Sequence, residues 1–495
     1  MLKNNTTSQN AFTDLSMYPA GLLSALQHVE KKAGDAFFLS GGTVRDWLLG
    51  RSPSDLDISV KKDAVGCCRE LIGRLGAGAF VMLGRDDDEA ARVVWQNFTL
   101  DFSSFRKDAQ TMEEDLCFRD YTINSMAVKL TECLEGEGCT IIDPLGGIDD
   151  LRNKTLKCCP GAFDDDPLRM LRGFRLQAEL GFSLDADAIR DVQLKRETIR
   201  QCAAERIQHE LDLIMYTGSA SKVFRLMADT GILFVIFPEL HQGVGLEQPG
   251  YHHEDVFNHG MLALSSIEKI FDAPQDYFGK YHEVIEHYLD FPENRVRLRW
   301  AALFHDLGKP ATHSSGTMGE RATFYNHDRV GREMFELVAG RLRWSRTDVE
   351  TVGSLIEMHM HPFHLSNIRR QEAVSRKALV KIFKKAGDDL PGLFILAMAD
   401  SLAGQGELKP EDMEQELSSL FDEVQETVDK YIRPSIMGER FVTGQDLITV
   451  FNLSPGPLFR EILEGLEIAR VEDHVRTKEE AFSWVASYLD NIVNN

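Results

Sequence analysis

Asp55 and Asp57 stand two residues apart in the run FLSGGTVRDWLLGRSPSDLDISV, residues 38–60 of the 495-residue chain. An apolar segment leads into Gly41-Gly42, a short helical pattern follows, and LDISV then alternates as a strand does. Residues two apart in a strand project from one face, so both carboxylates point at one place while Leu56 and Ile58 pack behind. Two convergent carboxylates suit a pair of divalent cations that activate an attacking hydroxyl and stabilise a departing pyrophosphate. Gly41-Gly42 lets backbone approach a ligand. The helix after it, with Arg45 and Asp46 in its first turn, offers N–H groups to phosphates. This is the pattern of nucleotidyl transfer. A lone DxD is most often a solvated turn, and the reading rests on the ordered conjunction GG-x-VRD-x-LLG with SDLDI.

Residues up to about 160 alternate apolar strand segments (AFFLS, LDISV, FVMLG, FTLDFSSF) with helical patterns, which predicts an α/β head. From about Phe163 the pattern turns helical, with Leu168, Leu171, Phe174 and Leu176 forming the buried stripe of the first helix. A polar stretch at 242–253 opens a third unit. A break near Arg433-Pro434 precedes a helical segment at 444–489. The expected division is a head at 1–160, a helical neck at 161–240, a body at 241–432 and a helical tail at 433–495. Asp166 and Arg169, one turn apart, are expected on one helix face. One accepts a hydrogen bond and the other donates, which complements the amine and ring nitrogen of cytosine or adenine and opposes uracil and guanine. A solvated i,i+3 ion pair is the alternative. Arg172 and Arg175 extend the same row towards a triphosphate or a primer end.

The segment 38–60 resembles the nucleotidyltransferase superfamily, and specifically the bacterial tRNA nucleotidyltransferase and poly(A) polymerase family. The likeness continues in order. FRDYTINSMA (118–127) is similar to that family's RRDFTINA box and DPLGGIDDL (143–151) to its DPxGGxxDL segment. DDPLRMLRGFR (165–175) is similar to its EDxxRxLRxxRF helix, and AERIQHE (204–210) to SAERIxxE. The resemblance implies Mg²⁺ on Asp55 and Asp57, with Gly41, Gly42, Arg45, Arg119, Asp120 and Asn124 at the incoming nucleotide. It implies that the 165–175 helix, with Asp166, Arg169, Arg172 and Arg175, serves as a protein template for C and then A. Asp101, in FTLDFSSFR, matches the family's acidic position before VTTFR and is the candidate third carboxylate; an ordinary exposed strand position is the alternative. Two departures stand out: Phe118 replaces the first arginine of RRD, and Asp165 replaces the usual Glu.

LFHDLGKP (303–310) resembles the HD phosphohydrolase family, whose H…HD…D pattern maps onto His259, His305, Asp306 and Asp400. Imidazoles with carboxylates suit a divalent metal that activates water. His327 and His359 could add ligands for a second ion. The fold class expected is therefore an α/β nucleotidyltransferase head followed by a mostly helical neck, HD body and tail.

Net charge is −23, yet eight cations (Arg169, Arg172, Arg175, Arg190, Lys195, Arg196, Arg200 and Arg206) fall in one helical region. That predicts a confined basic groove with salt-sensitive RNA binding. Eight cysteines without a CxxC suit reduced thiols, and a polar N-terminus without long apolar runs predicts a cytoplasmic protein with no membrane partner. The expected partners are tRNA, CTP and ATP, and the expected activity is CCA addition together with an HD phosphohydrolase activity of the body. The rivals are CC-only or A-only addition, with residues 84–93 (GRDDDEAARV) as a specificity element, then poly(A) polymerase. Two others lack transferase activity: a metal phosphohydrolase whose head only binds nucleotide, and a tRNA-binding scaffold.

Overall fold

A computed structural model describes residues 6–11, 15, 17–34, 36–83, 90–135, 138–248, 250, 253–314, 322–434 and 441–493. The chain divides into two compact units. One comprises Met1–Ile214 and Leu226–Ile236, the other Met215–Arg225 and Phe237–Asn495.

The first unit is built on an eight-stranded sheet. Its strands are β1 (Thr6–Ala11), β2 (Phe38–Ser40), β3 (Asp55–Val60), β4 (Ala79–Leu83), β5 (Ala90–Trp95), β6 (Phe98–Ser104), β7 (Ala127–Lys129) and β8 (Cys139–Ile142), in spatial order β1-β8-β7-β2-β3-β6-β5-β4. β3 and β6 pair in parallel and place Asp57 opposite Asp101, whereas β5 runs antiparallel to β6 and places Arg92 opposite Asp101. Strand alternation sorts the faces. Leu56, Ile58, Val93, Leu100 and Phe102 are buried in a core shared with Leu22, Leu26 and Val29 of the helix Ala20–Ala33, and with Cys68 and Leu71 of the helix Ala64–Leu75. Asp55, Asp57, Arg92 and Asp101 are left on the other face. The strand expectations hold, and the sheet adds β1, β5, β7 and β8 to them.

Between β2 and β3 the chain turns at Gly41, whose φ of 67° favours glycine, into the helix Gly42–Leu48. A Cβ at Gly41 would lie 2.9 Å from both an Arg119 nitrogen and an Asp57 oxygen, so glycine is also required by space. The neck helix Arg169–Leu180 buries Leu171, Phe174 and Leu176, with Leu168 buried just ahead of it. Its Gly173 passes against Tyr121, whose hydroxyl donates to the Arg169 carbonyl at 3.0 Å.

The second unit is helical. Its Leu390–Ala403 helix is buried on nearly every side, as its uninterrupted apolar run requires, with Asp400 as its one carboxylate. Val256–Asp272, Pro292–Phe304 and Met413–Thr427 pack around it. Helices Gly444–Thr449, Pro457–Val471 and Lys478–Val493 close on a core of their own that includes Leu447, Ile462, Leu466 and Val485. No described helix is long and apolar enough to cross a membrane.

Gly173→Ala should destabilise the first unit despite alanine's better helix propensity, because the new Cβ would fall 1.9 Å from the Tyr121 hydroxyl. Overpacking of this kind costs about 1–3 kcal/mol. Urea unfolding should show a lowered midpoint, and an unchanged or raised one would contradict the packing described.

Candidate functional site

The polar face of β3 and β6 floors a cavity of about 570 Å³ lined by Gly41, Gly42, Arg45, Asp55, Asp57, Arg92, Asp101, Arg119, Asp120, Asn124, Arg169, Arg172 and Arg175, among others. Three carboxylates on adjacent strands repel one another unless cations or N–H groups intervene. Asp57 Oδ2 accepts the Gly42 N–H at 3.0 Å, so this N–H serves the carboxylate and is not free for a phosphate as expected. Thr43 locks the turn from both sides, donating to the Asp55 carbonyl at 3.1 Å and accepting the Asp57 N–H at 2.8 Å. Burial pushes the Asp57 carboxyl up and Asp101 adds to the rise, while Arg119 and the N–H of Gly42 and Thr43 oppose it. A cation entering here would reverse that rise. Oxygen donors of this kind suit a hard divalent ion.

Arg119 is buried and needs partners for its guanidinium. It donates to Ser40 at 2.9 Å and Ser59 at 2.8 Å, with Asp115 at 3.4 Å. Burial outweighs these contacts and lowers its pKa. Asn124 accepts from Arg45 at 2.8 Å and donates to Asp120 at 3.2 Å. Asp120 lies 3.0 Å from Arg172 and accepts the Tyr121 N–H at 2.8 Å. Burial alone would raise the Asp120 carboxyl, but Arg172, the Tyr121 N–H, Arg169 and Asn124 overcome it and hold it at about 2. Arg175 lies 2.9 Å from the buried Glu210.

In the second unit, six buried or nearly buried side chains from five helical segments converge. The possible ligand atoms form two groups, His259–His305–Asp400 and Asp306–His327–His359, each with its atoms within 4.8 Å of one another. His259 Nε2 is 2.9 Å from Asp400 and 3.3 Å from His305 Nε2, and His327 Nε2 is 3.2 Å from His359 Nε2. His305, His327 and His359 each direct Nδ1 at the carbonyl three residues earlier, at 2.8, 2.9 and 2.7 Å. A carbonyl only accepts, so Nδ1 carries the proton and Nε2 turns into the cluster, as in a metal-ligating imidazole. Neither oxygen of Asp306 has a well-directed hydrogen bond, although Lys309 Nζ lies 2.7 Å from Oδ2. Burial opposes charge on His305, but Asp306 and Asp400 outweigh it and raise it to about 10. Burial with neighbouring His327 and His305 pushes His359 down to about 3. Converging Nε2 atoms beside an Asp306 Oδ1 that accepts no hydrogen bond fit a divalent cation.

Three family descriptions match the chain: Poly A polymerase head domain over residues 37–157, Probable RNA and SrmB- binding site of polymerase A over 181–243, and HD domain over 268–404. An A-adding tRNA nucleotidyltransferase of Deinococcus radiodurans is 30% identical over 468 residues, which cover 91% of this chain and 95% of that protein. A CC-adding tRNA nucleotidyltransferase of Thermus thermophilus is 32% identical over 457 residues, 90% of this chain and 92% of that one. The chain belongs to the tRNA nucleotidyltransferase/poly(A) polymerase family. In fold it is similar to a Thermotoga maritima CCA-adding enzyme solved with tRNA, at a TM-score of 0.61 and 19% identity over 96% of each chain.

The structure corrects the sequence reading of the neck of this family member. Asp166 and Arg169 do not share a helix face. The helix Ala162–Asp165 ends before Asp166, which is extended at φ −148° and ψ 106°, and a new helix begins at Arg169. Pro167 is the reason, because its ring disfavours helical backbone in the residue before it. Asp166 accepts the Leu168 N–H at 3.1 Å and Arg206 at 2.8 Å. Arg169 donates to the carbonyls of Arg119 at 3.1 Å and Phe118 at 3.0 Å.

The expected basic groove is also largely neutralised. Arg172, Arg175, Arg190, Lys195, Arg200 and Arg206 each pair with a carboxylate. At the Phe118 departure, Lys107 Nζ stands 4.9 Å from the ring centroid and 2.6 Å from Asp165. Of the segment 84–93, residues 84–89 lie outside the described residues and the remainder is the start of β5. Residues 249, 251 and 252 of the polar stretch and 435–440 after Pro434 lie outside them too. Sequence reading missed Arg92, Thr43, Ser40 and Ser59, whose partners are distant in sequence. Lys309, one turn after Asp306, was within its reach.

Asp120 titrates lower in the folded chain than its ordinary 3.8, so its ionised form stabilises the fold above about pH 4 and that contribution is lost as pH falls towards 2. Asp120→Asn should therefore be less stable than the parent at neutral pH, and the gap should narrow by roughly 1 kcal/mol between about pH 6 and about pH 3. Denaturant titrations at several pH values would show this, and a constant gap would exclude it.

Proposed function

We propose that this chain is a Mg²⁺-dependent tRNA nucleotidyltransferase that adds C and A from CTP and ATP to tRNA 3′ ends, completing CCA. The observation carrying the reading is the placement of Asp55, Asp57 and Asp101 on one face of two paired strands beside a cation-lined cavity. The A-adding and CC-adding relatives that span nine-tenths of the chain support nucleotidyl transfer to tRNA, and a relative named multifunctional CCA protein that spans 70% of it supports addition of both bases.

In this reading Asp55, Asp57 and Asp101 would hold Mg²⁺, which when bound would supply Lewis acidity for the attacking 3′-hydroxyl and the departing pyrophosphate. Asp120 and Asn124, tied to Arg172 and Arg45, and Arg119, held by Ser40 and Ser59, form a rim that orients the sugar and phosphates. Arg172 and Arg175 are held by Asp120 and Glu210 and extend the positive wall. Asp166 and Arg169 would read the base edge in exchange for present partners, Arg206 and the Leu168 N–H for one and three backbone carbonyls for the other. Most neck cations are already paired, so tRNA would be held by shape and a few backbone contacts. The head, neck, body and tail bounds given above are the functional division we propose, in a cytoplasmic enzyme.

His259, His305, Asp306, His327, His359 and Asp400 would hold one or two divalent metal ions and support phosphohydrolase activity. Asp306 Oδ1, buried without a hydrogen-bond partner, supports this assignment. A specialised CC-adding or A-adding enzyme is the second reading, because relatives of both kinds match the chain at about the same identity.

Purified protein with Mg²⁺ and tRNA ending at the discriminator base, at C or at CC should extend every primer to CCA with only CTP and ATP. Arrest after CC, or addition of A alone to the CC primer, would establish the specialised reading. Asp57→Ala should lower incorporation by more than about a hundredfold, since even outer-shell partners of metal sites cost 10–100-fold. His305→Ala should spare incorporation and abolish hydrolysis. Incorporation that survives Asp57→Ala would overturn the transferase assignment.

A further inference from the structure

Asp57, Asp101 and Arg92 form a row across three neighbouring strands, set by the β3–β6 and β5–β6 registers. Arg92 faces Asp101 edge-on, with Nε 2.7 Å from Oδ1 and Nη2 2.7 Å from Oδ2. Planar two-point pairing of this kind is the strongest arrangement open to a carboxylate and a guanidinium. It occupies both oxygens of the third carboxylate. Ala91 and Val93 are buried on the opposite face, so alternation holds Arg92 over the cavity. The Arg92 side chain is 38% exposed and lines that cavity.

The two N–H groups take one lone pair on each oxygen, and the guanidinium charge stands beside any divalent ion that approaches Asp101, so the two cations compete for the carboxylate. Without Arg92, three carboxylates would face one another across adjacent strands, relieved mainly by Arg119 and by the N–H of Gly42 and Thr43. The guanidinium therefore does in the empty site what a metal ion would do in the filled one.

We propose that Arg92 is a positioning residue, the resident counter-ion of Asp101, which holds that carboxylate in place and yields it to a divalent cation when the nucleotide site fills. This rests on the reading of Asp101 as a metal ligand. Free cation then binds the empty site weakly and enters effectively with the nucleotide. The triphosphate supplies further ligands and negative charge to receive the released guanidinium.

The test is local metal binding, read without catalysis. Full-length protein is titrated with Fe²⁺ in ascorbate and peroxide, and backbone cuts near residues 41–57 and 101 are quantified. Cuts near residues 305–306 serve as internal reference. Arg92→Gln should move the head cuts to about three- to tenfold lower Fe²⁺ without nucleotide, the scale expected for removing one partly exposed ion-pair competitor. Saturating CTP should shrink the difference. Arg92→Lys, which keeps the charge and loses the two-point geometry, should fall between the two and covers the case in which the glutamine variant folds poorly. Asp101→Asn should weaken the head cuts in every background. Weakened cuts in Asp101→Asn together with unshifted cuts in both Arg92 variants would overturn the counter-ion role alone. Unchanged cuts in Asp101→Asn would overturn the metal-ligand reading beneath it.

Discussion

Parallel pairing of β3 with β6 sets Asp57 opposite Asp101, and Asp55 follows two residues from Asp57 on the same face. Like charges so placed cannot be left to themselves. The rest of the head can be understood as the answer to that repulsion. Arg92 takes both oxygens of Asp101, the Gly42 N–H takes one oxygen of Asp57, and Arg119 lies close enough to both Gly41 and Asp57 that no side chain fits at position 41. Arg119 is itself buried, so Ser40 on β2, Ser59 on β3 and Asp115 must be where they are to satisfy it. The chain of requirements runs from three carboxylates to most of the polar residues around the cavity.

The metal-suited cluster of the second unit solves a related problem differently. Its carboxylates, Asp306 and Asp400, sit among imidazoles instead of guanidinium groups, and an imidazole can change its charge. Backbone carbonyls three residues earlier fix the Nδ1 proton of three histidines, so their Nε2 atoms converge. The apolar Leu390–Ala403 helix carries Asp400 into a core that would otherwise exclude a charge, and the cost is offset by His259 at 2.9 Å. Both sites thus place acid groups where the fold must neutralise them, one with guanidinium groups and one with imidazoles and Lys309.

A net charge of −23 coexists with a proposed RNA substrate because the neck cations are organised by acids. Asp120, Glu210, Asp166 and Asp164 hold Arg172, Arg175, Arg206 and Lys195 in defined directions. Such pairing trades long-range attraction for geometry, which suits positioning of a nucleotide better than capture of a polyanion.

Much of the site was legible because its signals are local. The alternation of LDISV and FTLDFSSF put Asp55, Asp57 and Asp101 on strand faces, Gly41-Gly42 marked the tight turn, and HD with its histidines named a ligand set by residue type. The sequence also contained Pro167, whose effect on Asp166 is local and was overlooked in favour of helical spacing. What tertiary structure alone decided were pairings between different strands and helices. The β5–β6 register chose Arg92 as partner of Asp101, the β2–β3 approach joined Ser40 and Ser59 to Arg119, and the packing of separate helices brought His259, His327 and Asp400 to His305 and Asp306. Residue types and short-range periodicity determine which chemistry is possible; register and packing, cooperative over the whole unit, determine which atoms meet to perform it.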